Sequence, residues 1–111
     1  MLIVVAEARI EPHNRALTEE VGAAMVLASR AEPGCLGYAY AWDFTEPEIM
    51  RAIELWQDEA ALRSHFATPH MAAFLKALAE MANPRPSIVV YEGGRPHDIG
   101  RYAARPAAGN P

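Results

Sequence analysis

The chain has a single cysteine, Cys35, among 111 residues. It can therefore form neither an intrachain disulfide nor a thiolate metal cluster. A basic stripe is also missing: the formal net charge is −4 at pH 7, and Arg95, Arg101 and Arg105 near the C-terminus are scattered. Nucleic acid is not an expected partner, because binding it calls for clustered positive charge. No stretch approaches the roughly 18 consecutive apolar residues that suggest a membrane span. The apolar opening, Met1 to Arg9, has no basic leader and soon meets Glu7, so it reads as a strand and not a signal peptide. A soluble cytoplasmic protein, with no membrane contact, is the expectation. No internal repeat is evident.

What is present is ordinary globular material, 51% hydrophobic and 22% charged, in a length that supports one core. Leu2-Ile3-Val4-Val5-Ala6, extended by Arg9 and Ile10 and stopped by Pro12, predicts a first strand over residues 2 to 11. Asn14 is a candidate N-cap, and Leu17, Val21, Met25 and Ala28 then recur at helical spacing up to about Glu32, before Pro33-Gly34. Leu36, Tyr38, Tyr40, Trp42 and Phe44 alternate with small or polar residues, a period-two strand. Glu46-Pro47-Glu48 makes a turn into a strand over Ile49 to Trp56. Asp58 caps a short helix through Phe66, Pro69 suits the first position of a second helix begun at Thr68, and Asn83-Pro84 closes it. Ser87 to Tyr91 is the last strand. Residues 1–94 then form one domain, and residues 95–111, without periodicity, are a tail or an arm reaching over a partner.

The order β-α-β-β-α-β is the split βαβ pattern, an α+β ferredoxin-like fold with a four-stranded antiparallel sheet and its helices on one face. A sheet with one wet face should show polar residues there. Here Leu2, Val4 and Ala6 alternate with the equally apolar Ile3 and Val5, Ala52 and Trp56 with Ile53 and Leu55, and Val89 and Tyr91 with Ile88 and Val90. Helices enough for one face leave the other bare. Burying about 600 Å² of such surface is worth roughly 15 kcal/mol before association costs. A homodimer, two sheets face to face about a two-fold axis, is the simplest closure.

Glu32-Pro33-Gly34-Cys35-Leu36-Gly37-Tyr38, then Glu54-Leu55-Trp56, then Asp58-Glu59-Ala60-Ala61-Leu62-Arg63-Ser64-His65, then Pro69-His70 and Phe74 resemble the signature of antibiotic biosynthesis monooxygenase domains. The likeness runs from residue 2 to about 92. It implies a dimeric α+β barrel with a ligand pocket between sheet and helices in each protomer. It also implies cofactor-independent oxygenation of quinols or anthrones as one activity, beside relatives that degrade haem or act on signalling molecules. At the positions where haem-degrading relatives carry asparagine, tryptophan and a haem-ligating histidine, this chain has Ala8, His65 and Leu75, which argues against haem degradation.

His65 and His70 each fall on the apolar face of their helical segment. An imidazole titrates near neutral pH, so His65 is the candidate general base for a phenolic hydroxyl; the plainer alternative is a pair of structural histidines bonded around the Pro69 break. No carboxylate or cysteine is spaced with them to complete a metal set, so no metal is expected, and no cofactor. Glu54 and Trp56 share a strand face, where Glu54 could orient a histidine or substrate hydroxyl and Trp56 form an aromatic wall, or simply pack the core. Tyr38, Phe66, His70 and Phe74 complete the expected binding residues for a small hydrophobic aromatic molecule. Cys35 shows no activating neighbour. The resulting expectation is a cofactor-independent monooxygenase of a phenolic or quinol-like substrate; the alternatives are a non-catalytic binding or stress-related module, and an isomerase or decyclase on the same barrel.

Overall fold

The computed structural model describes residues 1–103; the part of the expected tail from residue 104 onward lies outside the described residues. The strands are β1 (Leu2–Arg9), β2 (Cys35–Trp42), β3 (Ile49–Trp56) and β4 (Ser87–Glu92). The helices are α1 (Arg15–Arg30), α2 (Glu59–Phe66) and α3 (Pro69–Met81), and short 3-10 turns cover Pro12–Asn14 and Ile99–Arg101. The sheet order is β2-β3-β1-β4 with every neighbouring pair antiparallel, the ferredoxin-like arrangement expected from the element order.

Local chemistry moves several element ends. Asn14 stands at the N-cap position of α1 but makes no capping bond; its Nδ2 instead donates to the Met81 carbonyl at 2.9 Å and to Asn83 Oδ1 at 3.0 Å, tying the start of α1 to the end of α3. β2 ends at Trp42 and not at Phe44, because the Asp43 carboxylate accepts from the backbone N–H groups of Thr45 and Glu46 and folds the chain into a turn. Phe44 is left fully exposed. Asp58 caps α2 by accepting from the Ala61 N–H at 2.8 Å, and Thr68 caps α3 ahead of Pro69.

Pairing places Tyr38, Glu54, Val4 and Val90 along one rung, side chains toward the helices, and Ala39, Ile53, Val5 and Val89 along the next, pointing away from them. The inner face and the helices enclose a core of Val4, Met25, Tyr38, Trp56 and Met71. α1 packs on β2, and α2 on β3. The inner residues of β4 stay open, with Ile88 60% and Val90 50% exposed. On the outer face Val5, Ile53, Val89 and Tyr91 are about half exposed, so the sheet is apolar on both sides. A charged rung bounds this outer patch, where Arg51 reaches Glu7 at 2.6 Å and Asp43 at 2.9 Å.

Among the described residues two backbone positions have positive φ, Gly34 at 82° and Ala82 at 54°. A Cβ on Gly34 would meet the Ala61 Cβ at 2.7 Å, so Gly34→Ala should lose at least about 1–3 kcal/mol, from strain before the clash is counted. Ala82 is the left-handed C-cap of α3, where glycine carries no Cβ penalty, and Ala82→Gly should gain up to about 1 kcal/mol. Chemical denaturation of the two variants checks both signs.

Candidate functional site

An apolar cavity of about 260 Å³ lies between the inner sheet face and helices α2 and α3. Its walls include Val4 and Ala6 of β1, Ile88 and Val90 of β4, and Phe66 and Phe74 of the helices. The polar side chains on its lining are few: Tyr38, Tyr40, Glu54 and Asn83. A mostly apolar pocket with a few convergent polar groups is the usual form of a small-molecule site.

Glu54 sits mid-sheet and is 9% exposed. Desolvation raises its pKa above the ordinary carboxylate value; the Trp56 indole N–H, which donates to Oε1 at 2.9 Å, the charge of His65 and the Tyr38 hydroxyl oppose that rise. The Tyr38 and Tyr40 hydroxyls share a hydrogen bond of 2.8 Å. Burial pushes Tyr40 up to about 12 and raises Tyr38 as well, so both phenols are neutral at physiological pH and either can donate to a ligand oxygen. The cavity thus offers one carboxylate of raised proton affinity beside two hydroxyl groups.

The histidines stand elsewhere. His65 is wholly buried and lies behind the cavity wall, its ring 4.6 Å from Trp56 and 5.5 Å from Tyr38. Its Nδ1 lies 2.6 Å from Glu32 Oε2, and Nε2 of His70 lies 2.7 Å from the same oxygen. Neither histidine lines the cavity. The expected partner of a histidine was Glu54; the carboxylate that bonds both is Glu32, in the turn after α1, where the sequence suggests no ligand-type spacing. The Pro69 break accounts for this, because it turns the start of α3 back toward the end of α2. Trp56 is likewise in the core, with no exposure, and holds Glu54 instead of forming a wall. Of the expected site residues, Tyr38, Glu54, Phe66 and Phe74 line the cavity; His65, His70 and Trp56 do not. Tyr40, which the sequence places only in the period-two alternation of this strand, does line it, packed 5.8 Å from Phe74. Cys35 is half-buried, and burial raises its thiol pKa, the reverse of activation.

The family model for antibiotic biosynthesis monooxygenases matches residues 1–77. The chain belongs to the antibiotic biosynthesis monooxygenase family. An Escherichia coli K12 relative named Probable quinol monooxygenase YgiN is 34% identical, over 70% of this chain and 85% of that protein. An uncharacterized Synechocystis protein is 26% identical over 82% of this chain, which spans only 62% of that longer relative. A solved structure from Deinococcus radiodurans that carries the family name superposes with a TM-score of 0.84 at 25% identity, covering 89% of this chain and 98% of that one.

Trp56→Phe keeps an aromatic ring in the core but deletes the donor to Glu54. A buried carboxylate that loses such a partner costs about 1–3 kcal/mol, and Glu54 should titrate higher than in the parent chain. Thermal melts and carboxyl-carbon NMR of the two proteins check this.

Proposed function

We propose that the protein is a monooxygenase of a small planar phenolic or quinol-like molecule, working as a homodimer and without a metal or organic cofactor at the reacting centre. The observation that carries the reading is Glu54, a desolvated carboxylate on the floor of an apolar, aromatic cavity, flanked by two neutral phenol hydroxyls. Glu54 replaces His65 as the proton acceptor in this proposal, because it is the basic group a ligand in the cavity can touch. The similarity to a protein named as a quinol monooxygenase supports the substrate class.

The chemistry follows from the wall. Glu54 takes a proton from a quinol hydroxyl, and Tyr38 or Tyr40 donates to an oxygen of the resulting anion and orients the ring. The electron-rich anion reacts with dioxygen. A quinol with a free ring position and one dioxygen give a hydroxyquinone and one water, so one oxygen atom enters carbon, the other leaves as water, and every electron comes from the substrate. Phe66 and Phe74 pack against the ring faces. The half-exposed outer patch of Val5, Ile53, Val89 and Tyr91 is where the second copy docks in this proposal.

A naphthohydroquinone incubated under labelled dioxygen should give product with one labelled oxygen and label in water. Glu54→Gln should lower kcat by about 10²–10⁴-fold. Product free of label, or turnover indifferent to that substitution, contradicts the proposal; turnover without oxygen would point to an isomerase.

The raised pKa fixes two further signs. The rate should fall as pH drops through the raised Glu54 pKa, and Glu54→Gln should lack that limb. The folded chain also holds the Glu54 proton more tightly than the unfolded chain, so ionisation costs stability as pH rises through the folded-state pKa. Glu54→Gln should therefore raise the melting temperature at pH 8 more than at pH 4, which melts at the two pH values measure.

A further inference from the structure

Three donor atoms converge outside the cavity. Glu32 follows α1, His65 is on α2 and His70 opens α3, and one ligand atom from each lies within 4.8 Å of the others. On an unbroken helix, residues five apart would point about 140° from each other; the break at Ala67-Thr68-Pro69 instead aims both imidazoles at a single carboxylate oxygen. None of the three lines the cavity, so the oxygenase reading leaves the cluster unused.

The protonation of His65 is the informative detail. Its Nε2 is fully buried with no hydrogen-bond partner among the described residues, and the ring is packed by Trp56, Tyr38 and Phe66. A nitrogen in aromatic surroundings is better off carrying its proton, since ring faces accept N–H weakly and repel a lone pair. A neutral His65 in that tautomer turns a second lone pair, on Nδ1, against Glu32 Oε2 at 2.6 Å. With the proton on Nδ1 instead, His65 donates to Glu32 and leaves the buried Nε2 without a partner; a cation between Nδ1 and Glu32 Oε2 lets Nε2 keep its proton.

We infer that Glu32, His65 and His70 form a binding site for a divalent first-row transition ion of the zinc class, held by Nδ1 of His65, Nε2 of His70 and a Glu32 oxygen. Two imidazoles and one carboxylate are a ligand set such ions accept, with a position left open for water. At ligand distances of about 2.0–2.2 Å, tetrahedral donors stand about 3.3–3.5 Å apart, so loading must spread each N···O contact by less than about 1 Å. Glu32 in its turn and His70, whose side chain is 25% exposed, are the groups placed to yield and to admit the ion, while His65 stays fixed in the core. The ion would clamp the turn after α1 to the junction of α2 and α3.

The test uses the full, untagged chain after chelator treatment, titrated with zinc alone by calorimetry and with cobalt alone by absorbance. One zinc should bind per chain at micromolar or lower concentration, cobalt should give the intense visible bands of a tetrahedral site, and zinc should raise the melting temperature. Glu32→Gln and His70→Ala should each weaken binding at least tenfold; His70 is the cleaner probe because its partial exposure lets the fold survive. Nitrogen NMR should show the His65 proton on Nε2 in the loaded protein. Absence of zinc binding, binding indifferent to both substitutions, or protons retained on His65 Nδ1 and His70 Nε2 in excess zinc would overturn the inference and leave a hydrogen-bonded triad. None of these readouts involves turnover, so the cavity proposal and this one stand or fall apart.

Discussion

A four-stranded sheet with apolar side chains on both faces has only one layer of helices to cover it, and that imbalance shapes the whole molecule. α1 and α2 spend their apolar faces on β2 and β3, where the core of Val4, Met25, Tyr38, Trp56 and Met71 closes. They do not reach across β4, whose inner residues Ile88 and Val90 stay half exposed. The uncovered strip becomes a wall of the cavity. Among the described residues no α-helix packs on the opposite face, and its apolar rungs end at the Asp43–Arg51–Glu7 charges, which mark where the patch stops. Open cavity and bare outer face are thus two consequences of one shortage.

Within that frame a single rung organises the chemistry. Pairing puts Glu54 between Tyr38 on one side and Val4 on the other, so a carboxylate is carried into an apolar layer by strand register alone. Trp56, two residues on, shares its face and supplies the N–H that makes the burial tolerable. The same tryptophan packs against His65, which links the cavity floor to the Glu32 cluster behind it. An aromatic layer therefore separates two polar sites, one facing the cavity and one facing the helix junction.

The fold was legible because its signals are local. Alternation in β2 and β3, the Asp58 and Thr68 caps, and Pro69 at the first position of α3 each act within a few residues, and strand parity separates the inner from the outer residues of β1, β3 and β4; in β2 it holds from Tyr38 onward, because a register shift between Cys35 and Gly37 packs Cys35 on the core and leaves Leu36 exposed. The errors arose where distant groups compete. Asn14 looked like a cap until Met81 and Asn83, nearly seventy residues away, took its amide. The strand spacing offers Glu54 as a group that could orient a histidine, but the side chain bonded to it is Trp56, on the same strand face. Glu32 carries no ligand spacing in the sequence, where its Glu-Pro-Gly turn is a sufficient helix stop. Its charge was a signal nonetheless, since the C-terminal end of a helix repels an acid, and a carboxylate kept there suggests a task elsewhere. Which histidines meet it depends on the angle between α2 and α3, and no spacing rule contains that angle.

The uncovered outer face is the feature on which the rest depends. Sedimentation equilibrium at micromolar concentration tests it directly, comparing the parent chain with Ile53→Arg, a change at a side chain half exposed in the single subunit and therefore harmless to its fold. Twice the 12.1 kDa chain mass is expected for the parent and a folded single subunit for the variant. A parent chain that sediments as a stable, folded monomer would contradict it.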